Sequence, residues 1–292
     1  MNSGLYDKYV TDLKLRGYAK RSRQSYRRSL RQFQHFTNKA FEDMTEEDLR
    51  EYWICCKEEL GWSSATLRIS YSAIKHFFTN VLKRDWEVLR TVKFERQQTL
   101  PTVLSIDEVR QIIAALGPGT QNHAFFVLVY SCGLRLSEAL NLRIADIDGK
   151  RELVHVRHGK GAKDRYVFLP ETTLGILRAY YRTHRNPEWM FPALGRDGKG
   201  GPSADRPVTA TTVQGALRRT LKRLGFRKQV TPHTFRHSYA THMIEAGVPV
   251  RHVQECLGHA SLASVMVYLH VTTHGKDESR QRMNQLMRGV LS

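Results

Sequence analysis

Apolar residues recur at three- and four-residue steps through the first ninety positions, and that period makes this stretch helical. Between Lys20 and Thr37 the apolar face is Tyr26, Leu30, Phe33 and Phe36. From Ser63 onward it is Leu67, Tyr71, Ile74, Phe77 or Phe78, and Val81. Thr45 opens T-E-E-D, a capping residue followed by acids that suit the positive end of a helix. Residues 1–90 are therefore expected to form a compact four-helix domain. A chain of 292 residues is long for one core, so a second domain is expected.

The periodicity lapses over 91–103, where Pro101 falls, and this stretch reads as a linker. Ser105-Ile-Asp-Glu108 is a capping box that opens the second domain, 104–292. An apolar helix from about Asn122 to Ser131 leads into Cys132-Gly-Leu-Arg135. The pattern then changes: Leu153–Val156 and Tyr166–Leu169 are short β-prone runs on either side of Gly-Lys-Gly, a small antiparallel sheet. Gly195–Pro207 is rich in Gly and Pro and reads as a surface loop. Thr231-Pro232 then supplies the N-cap and first residue of a helix. Gly247 and Gly258 look like helix stops, and Ser261 opens another short helix. The expected fold class is mainly α with a small antiparallel sheet.

Hydrophobic residues make up 41% of the chain, which excludes wholesale disorder. Forty-six Lys and Arg against 28 Asp and Glu give +18, divided as +6 over residues 1–100 and +12 beyond. That excess favours a polyanionic partner, most simply double-stranded DNA held from two sides, over a merely basic surface. Lys20, Arg21, Arg23, Arg27, Arg28 and Arg31 crowd twelve residues beside aromatics, and Arg68 and Lys75 lie outside the second apolar face. These are candidate phosphate contacts. Cys55, Cys56, Cys132 and Cys256 show no paired spacing, which suits a reducing compartment. The start MNSGLYDKYV lacks a leader's apolar core, and no stretch approaches the ~18 apolar residues of a membrane span. A cytoplasmic protein is expected.

The residues that carry chemistry come in one order: Arg135, Lys160, His233 with Arg236, His259 and Tyr268. Arginines bind the non-bridging oxygens of a phosphodiester, tyrosine supplies a nucleophile, lysine can protonate a leaving oxygen, and imidazoles move protons near neutrality. Singly each has a plainer explanation. Arg135 can simply pair with Glu138 three residues on. Lys160, between two glycines, can be a solvated turn lysine, and no Lys-Ser/Thr follows to make a P-loop. His233 and Arg236 share one helix face in its first turn, where backbone N–H groups favour an anion, but any isolated H-x-x-R can just meet solvent. His233 and His237 have zinc spacing, with His242 near; the intervening Thr-Phe-Arg offers no general base and places a cation where a metal would sit. Tyr268, among Val265, Met266, Val267 and Leu269, would by itself be core, and a phenol needs cations or a base to act as a nucleophile.

Together the segments resemble the tyrosine recombinase (phage integrase) family, most closely its Xer-type bacterial members. Cys132-Gly-Leu-Arg135-Leu-Ser-Glu138 is similar to the family's T-G-L-R-x-x-E, with cysteine in place of the usual threonine. Gly159-Lys160-Gly-Ala-Lys163-x-Arg165 resembles G-K-G-x-K-x-R. Thr231-Pro-His233-Thr-Phe-Arg236-His237 matches H-x-x-R, and Leu257-Gly-His259 with Tyr268 nine residues on matches the last box. The resemblance covers essentially the whole chain. It implies an N-terminal helical, SAM-like core-binding domain and a C-terminal α+β catalytic domain.

For the site it implies Arg135 and Arg236 on the scissile phosphate, Tyr268 as nucleophile, and Lys160 as general acid. His233 takes or orients the tyrosine proton, His259 bonds a phosphate oxygen, and Glu138 and His237 orient their neighbours. His158 lengthens the hairpin by one residue, so Lys163 competes with Lys160; Lys160 is preferred between its two glycines. Lys163 and Arg165 join Lys20, Arg21, Arg23, Arg27, Arg28, Arg68 and Lys75 as DNA contacts. No cofactor, metal or ATP is expected. The assembly implied is a tetramer on two DNA sites, with room for a second recombinase. A terminal helix near 280–292, carrying Met283, Leu286 or Met287 and Val290, would dock on a neighbouring subunit or fold back. The alternatives are a type IB topoisomerase and a DNA-binding regulator whose chemistry is silent.

Overall fold

The computed structural model describes residues 3–95, 101–157, 164–195, 198 and 200–258. Lys160, Lys163, His259, Tyr268 and the stretch 280–292 lie outside the described residues, as does the helix expected from Ser261. The chain divides into two compact units, 1–99 and 100–292.

Among its described residues the first unit has helices and no strand. Helices α1 (Ser3–Leu15), α2 (Lys20–Thr37), α3 (Glu46–Glu58) and α4 (Ser64–His76) are followed by the short α5 (Val88–Thr91). Thr45 and Asp48 form a reciprocal capping box on α3, each side chain bonding the other's backbone amide. The apolar face anticipated for α2 is largely inside: Leu30 and Phe33 are fully buried, while Phe36 stays partly exposed. Fully burying one such side chain contributes about 1.5–3 kcal/mol.

Phe77 and Phe78 are both fully buried, although adjacent positions of a regular α-helix face about 100° apart. Here α4 widens into a π turn over Phe77–Val81. Phe77 packs against Tyr9 and Phe41, and Phe78 stacks on Trp86. Beyond α5 the chain still packs on this unit. Phe94 meets Trp53 edge-on with ring centres 5.3 Å apart, so part of the 91–103 segment is bound to the helices.

The second unit packs helices around a central pair. Helices α6 (Ile106–Ala115), α7 (Gln121–Ser131) and α8 (Leu136–Leu140) precede a sheet of β1 (Ile147–Asp148), β2 (Leu153–Val156) and β3 (Arg165–Phe168). Helices α9 (Glu171–His184), α10 (Ala210–Arg223), α11 (Pro232–Glu245) and α12 (Val250–Leu257) follow. The strands are antiparallel in the order β1-β2-β3, with Val154 opposite Val167 and Val156 opposite Arg165. Helices α7 and α11 pack on each other and are buried on nearly every side, which is why neither shows a clean polar face.

The 195–207 loop is pinned from below. Asn186, fully buried, donates from Nδ2 to the carbonyls of Gly201 (2.8 Å) and Ala204 (3.0 Å) and accepts the amides of Glu188 and Trp189 on Oδ1. Among the described residues no helix is long and apolar enough to cross a membrane.

Candidate active site

Period two decides which hairpin side chains face the site. Val154 and Val156 of β2 and Val167 of β3 are buried, so Arg165 points inward with Val167. Its outward neighbours are Tyr166, stacked on His155 at 4.8 Å, and Phe168. Arg135 stands just before α8, which begins as the chain leaves α7 through Cys132 and Gly133. Gly133 has φ +59°, and a Cβ there would come within 2.5 Å of the Tyr239 ring, so only glycine fits. Cys132 is buried with its thiol directed at the Phe168 carbonyl, and burial raises its pKa to about 12. It acts as a small core residue. Thr231 caps α11 with Pro232 at its start, which sets His233 and Arg236 one turn apart.

The end of α12 gathers these parts. Its last carbonyls have no partner within the helix and form the negative pole of the helix dipole. Three consecutive ones each accept from a different arginine: Cys256 from Arg165 Nε (2.8 Å), Leu257 from Arg236 Nη2 (2.5 Å) and Gly258 from Arg135 Nη2 (3.0 Å). Arg236 also donates to the Gly133 carbonyl (2.6 Å) and is 2% exposed, a burial that a guanidinium sustains only with such partners.

Glu138 lies among the same three cations. Arg165 donates to both its oxygens (2.9 and 2.8 Å), Arg135 Nη1 donates to one (2.7 Å), and Arg236 stands at 3.9 Å as an ion pair. The Arg135 backbone amide adds a further bond (2.8 Å). Burial alone would raise this carboxyl's pKa. The hydrogen bonds from Arg165 and from the Arg135 amide, with the arginine charges, hold it down at about 2. Three guanidinium groups against one carboxylate leave the cluster two positive charges in excess. The side chain of Arg135, 18% exposed, is the most open of the three.

The two histidines of α11 lie alongside, rings nearly parallel with centres 6.1 Å apart. Burial, then the charges of Arg236 and Arg135, lowers the His233 pKa against the opposing pull of Glu138. Burial, then His233 and Arg236, lowers His237 to about 4. Both rings are therefore neutral at pH 7, and His233 keeps solvent access. His242, the third member of the zinc-spaced set, is turned elsewhere, its Nδ1 2.8 Å from the Tyr130 hydroxyl.

The structure thus brings together Arg135, Glu138, His233, Arg236 and His237, all anticipated. It adds Arg165, placed among DNA contacts by sequence but 11% exposed at its side chain and turned inward. The arginine-capped end of α12 was not legible, because carbonyls carry no sequence signal.

In the first unit, Lys20, Arg21 and Arg28 of α2 are exposed and Arg23 and Arg27 half-buried. Arg27, Arg28 and Arg31 share one face of α2 with Gln24, Gln32 and His35. Arg68 is exposed on α4, whereas Lys75 bonds the Tyr71 hydroxyl (3.1 Å) and lies over that ring.

Residues 102–274 match the phage integrase family, and residues 5–88 match the N-terminal SAM-like domain of phage integrases. The chain belongs to this family: it is a tyrosine recombinase, an enzyme of DNA strand transfer. Its relatives include y4qK of Sinorhizobium fredii, provisionally named an integrase/recombinase, 37% identical over 90% of this chain and 83% of that one. Tyrosine recombinase XerA of Pyrococcus horikoshii is 31% identical over 94% and 91%. The fold matches the crystal structure of XerH site-specific recombinase bound to palindromic difH substrate, a post-cleavage complex. The TM-score is 0.69 at 22% identity, over 88% of this chain and 78% of that one.

Proposed function

We propose that this chain is a site-specific DNA recombinase that cuts and rejoins strands through a 3′-phosphotyrosine intermediate. The observation that carries this is the two-charge cationic excess formed where Arg135, Arg236 and Arg165 converge on Glu138, beside two imidazoles held neutral. Such a cluster suits a phosphodiester whose negative charge grows as phosphorus becomes pentacoordinate.

Arg135 and Arg236 hold the non-bridging oxygens. Tyr268 attacks phosphorus, the P–O5′ bond breaks, and the tyrosine oxygen is left on the 3′-phosphate. His233, neutral at pH 7, accepts the phenol proton, while Lys160 protonates the departing 5′-oxygen. His259, next in the chain to Gly258, bonds a phosphate oxygen. Glu138 fixes Arg135 by two hydrogen bonds, and His237 backs His233. The tyrosine ester retains the bond energy, so a 5′-hydroxyl from another strand can reverse the step without ATP. Two such exchanges pass through a Holliday junction and engage four protomers on two DNA sites. DNA as partner is supported by the basic face of α2 and by XerH, whose solved structure is a difH complex.

The test uses suicide DNA substrates drawn from the sequence flanking the native gene, with covalent adducts read on denaturing gels. Wild type forms an adduct, whereas Tyr268→Phe forms none and Arg236→Ala forms at least 100-fold less. Adduct formation by Tyr268→Phe would overturn the assignment of the nucleophile. Strand exchange between two marked sites separates recombination from simple relaxation.

A further inference from the structure

The chemistry proposed above leaves one guanidinium of the cluster without a role. Arg165 directs three of its donors at protein acceptors: Nη1 and Nη2 at the two oxygens of Glu138 and Nε at the Cys256 carbonyl. This is the fork geometry in which arginine binds a carboxylate most selectively. Gly258 lies flush against it. A Cβ at that residue, where φ is +60°, would come 3.1 Å from Arg165 Cδ and Nη1. Glycine at this point therefore lets the guanidinium lie against the end of α12.

Arg165 also begins β3, five residues after Lys160 in sequence, and among the described residues its pairing with Val156 is the end rung of the ladder. Braces flank that rung on the same stem. Asp164 pairs with His155 across the strands (3.1 Å), and Arg157 Nε meets the buried carboxylate of Asp146 (2.5 Å).

The geometry points to Arg165 as a positioning residue, a three-way tie between β3, Glu138 with its partner Arg135, and the last turn of α12. It does not act as a DNA contact. This inference rests on the recombination reading for the roles of Lys160 and Arg135, although the tie itself is a property of the free protein. Lysine at 165 would place one point charge where a fork is needed, and it could not satisfy both Glu138 oxygens and the Cys256 carbonyl together. With Arg165 removed, the burial that favours the neutral carboxyl is less opposed, so Glu138 takes up its proton at a higher pH.

The experiment compares the full-length wild type with Arg165→Ala and Arg165→Lys in three measurements. The first is duplex affinity against salt. At saturating protein on a suicide substrate, adduct rate is followed from pH 5 to 9. The third, without DNA, is unfolding free energy from pH 2 to 7.

The tie predicts an unchanged salt slope for both variants. It predicts adduct rates at neutral pH that fall by up to about 100-fold for alanine and less for lysine. In wild type, Glu138 has a folded pKa near 2, below its unfolded value, so its ionisation stabilises the fold above about pH 4.5 and that stability is lost as pH falls toward 2. In Arg165→Ala the folded and unfolded values approach each other and this slope weakens.

A salt slope reduced by about one, with adduct rate intact at saturation, would make Arg165 a DNA contact and overturn the tie. Loss of stability with no change in its pH slope would reduce it to packing and overturn it as well. If wild type itself forms no adduct, recombination fails, and the DNA-free stability slopes still decide the tie.

Discussion

At the scale of single residues the site depends on positions with no chemistry of their own. Gly133 turns the chain from α7 toward Arg135, and its carbonyl accepts from Arg236. Gly133→Ala meets the Tyr239 ring at 2.5 Å in a backbone conformation that L-residues avoid. It should cost at least about 2 kcal/mol of stability, measured by denaturant unfolding, with adduct formation falling as Arg135 and Arg236 move apart. A neutral result would show that the ring yields freely. Arg135, Glu138, His233, Arg236 and His237 were legible because each sits in a local frame and the frames come in order. Arg165 was legible as a member of its box, but its direction was not. That direction depends on the register Val156–Arg165, and sequence alone does not fix register when strands are four residues long.

At the scale of elements, helices announced themselves by period and cap. Thr45, Ser105 and Thr231 all cap as their neighbours suggested. The end of α4 was ambiguous, with either Phe77 or Phe78 fitting the apolar stripe. The structure buries both, and the π turn that runs on from α4 has no residue signature. Phe77→Ala and Phe78→Ala should therefore each cost about 3–5 kcal/mol, read from denaturant midpoints. A nearly silent substitution at either position would show that its ring is not packed in the core. The two-residue strand β1 likewise escaped notice, since it is defined by pairing with β2 and not by composition.

For the whole molecule, the charge of +18 spread over both parts of the chain foretold a polyanionic partner, and membership of the phage integrase family agrees. Pro101 and the lapse in periodicity marked the neighbourhood where the two units divide. Phe94 shows that an aromatic residue in an apparently irregular stretch can still belong to the core beside it. The apolar spacing of Met283, Leu286 or Met287 and Val290 in the sequence leads to a prediction at this scale. A chain lacking 280–292 should bind a single site with unchanged affinity yet fail to form synaptic complexes in native gels. Normal synapsis by the truncated chain would refute docking between subunits.

The arginine-held end of α12 has a mechanical consequence. Three consecutive carbonyls there are gripped by three different guanidinium groups, whose side chains come from α11, from β3 and from the turn before α8. An outward shift of this helix end would load all three grips together, so the end of α12 is clamped as one piece with the arginine cluster.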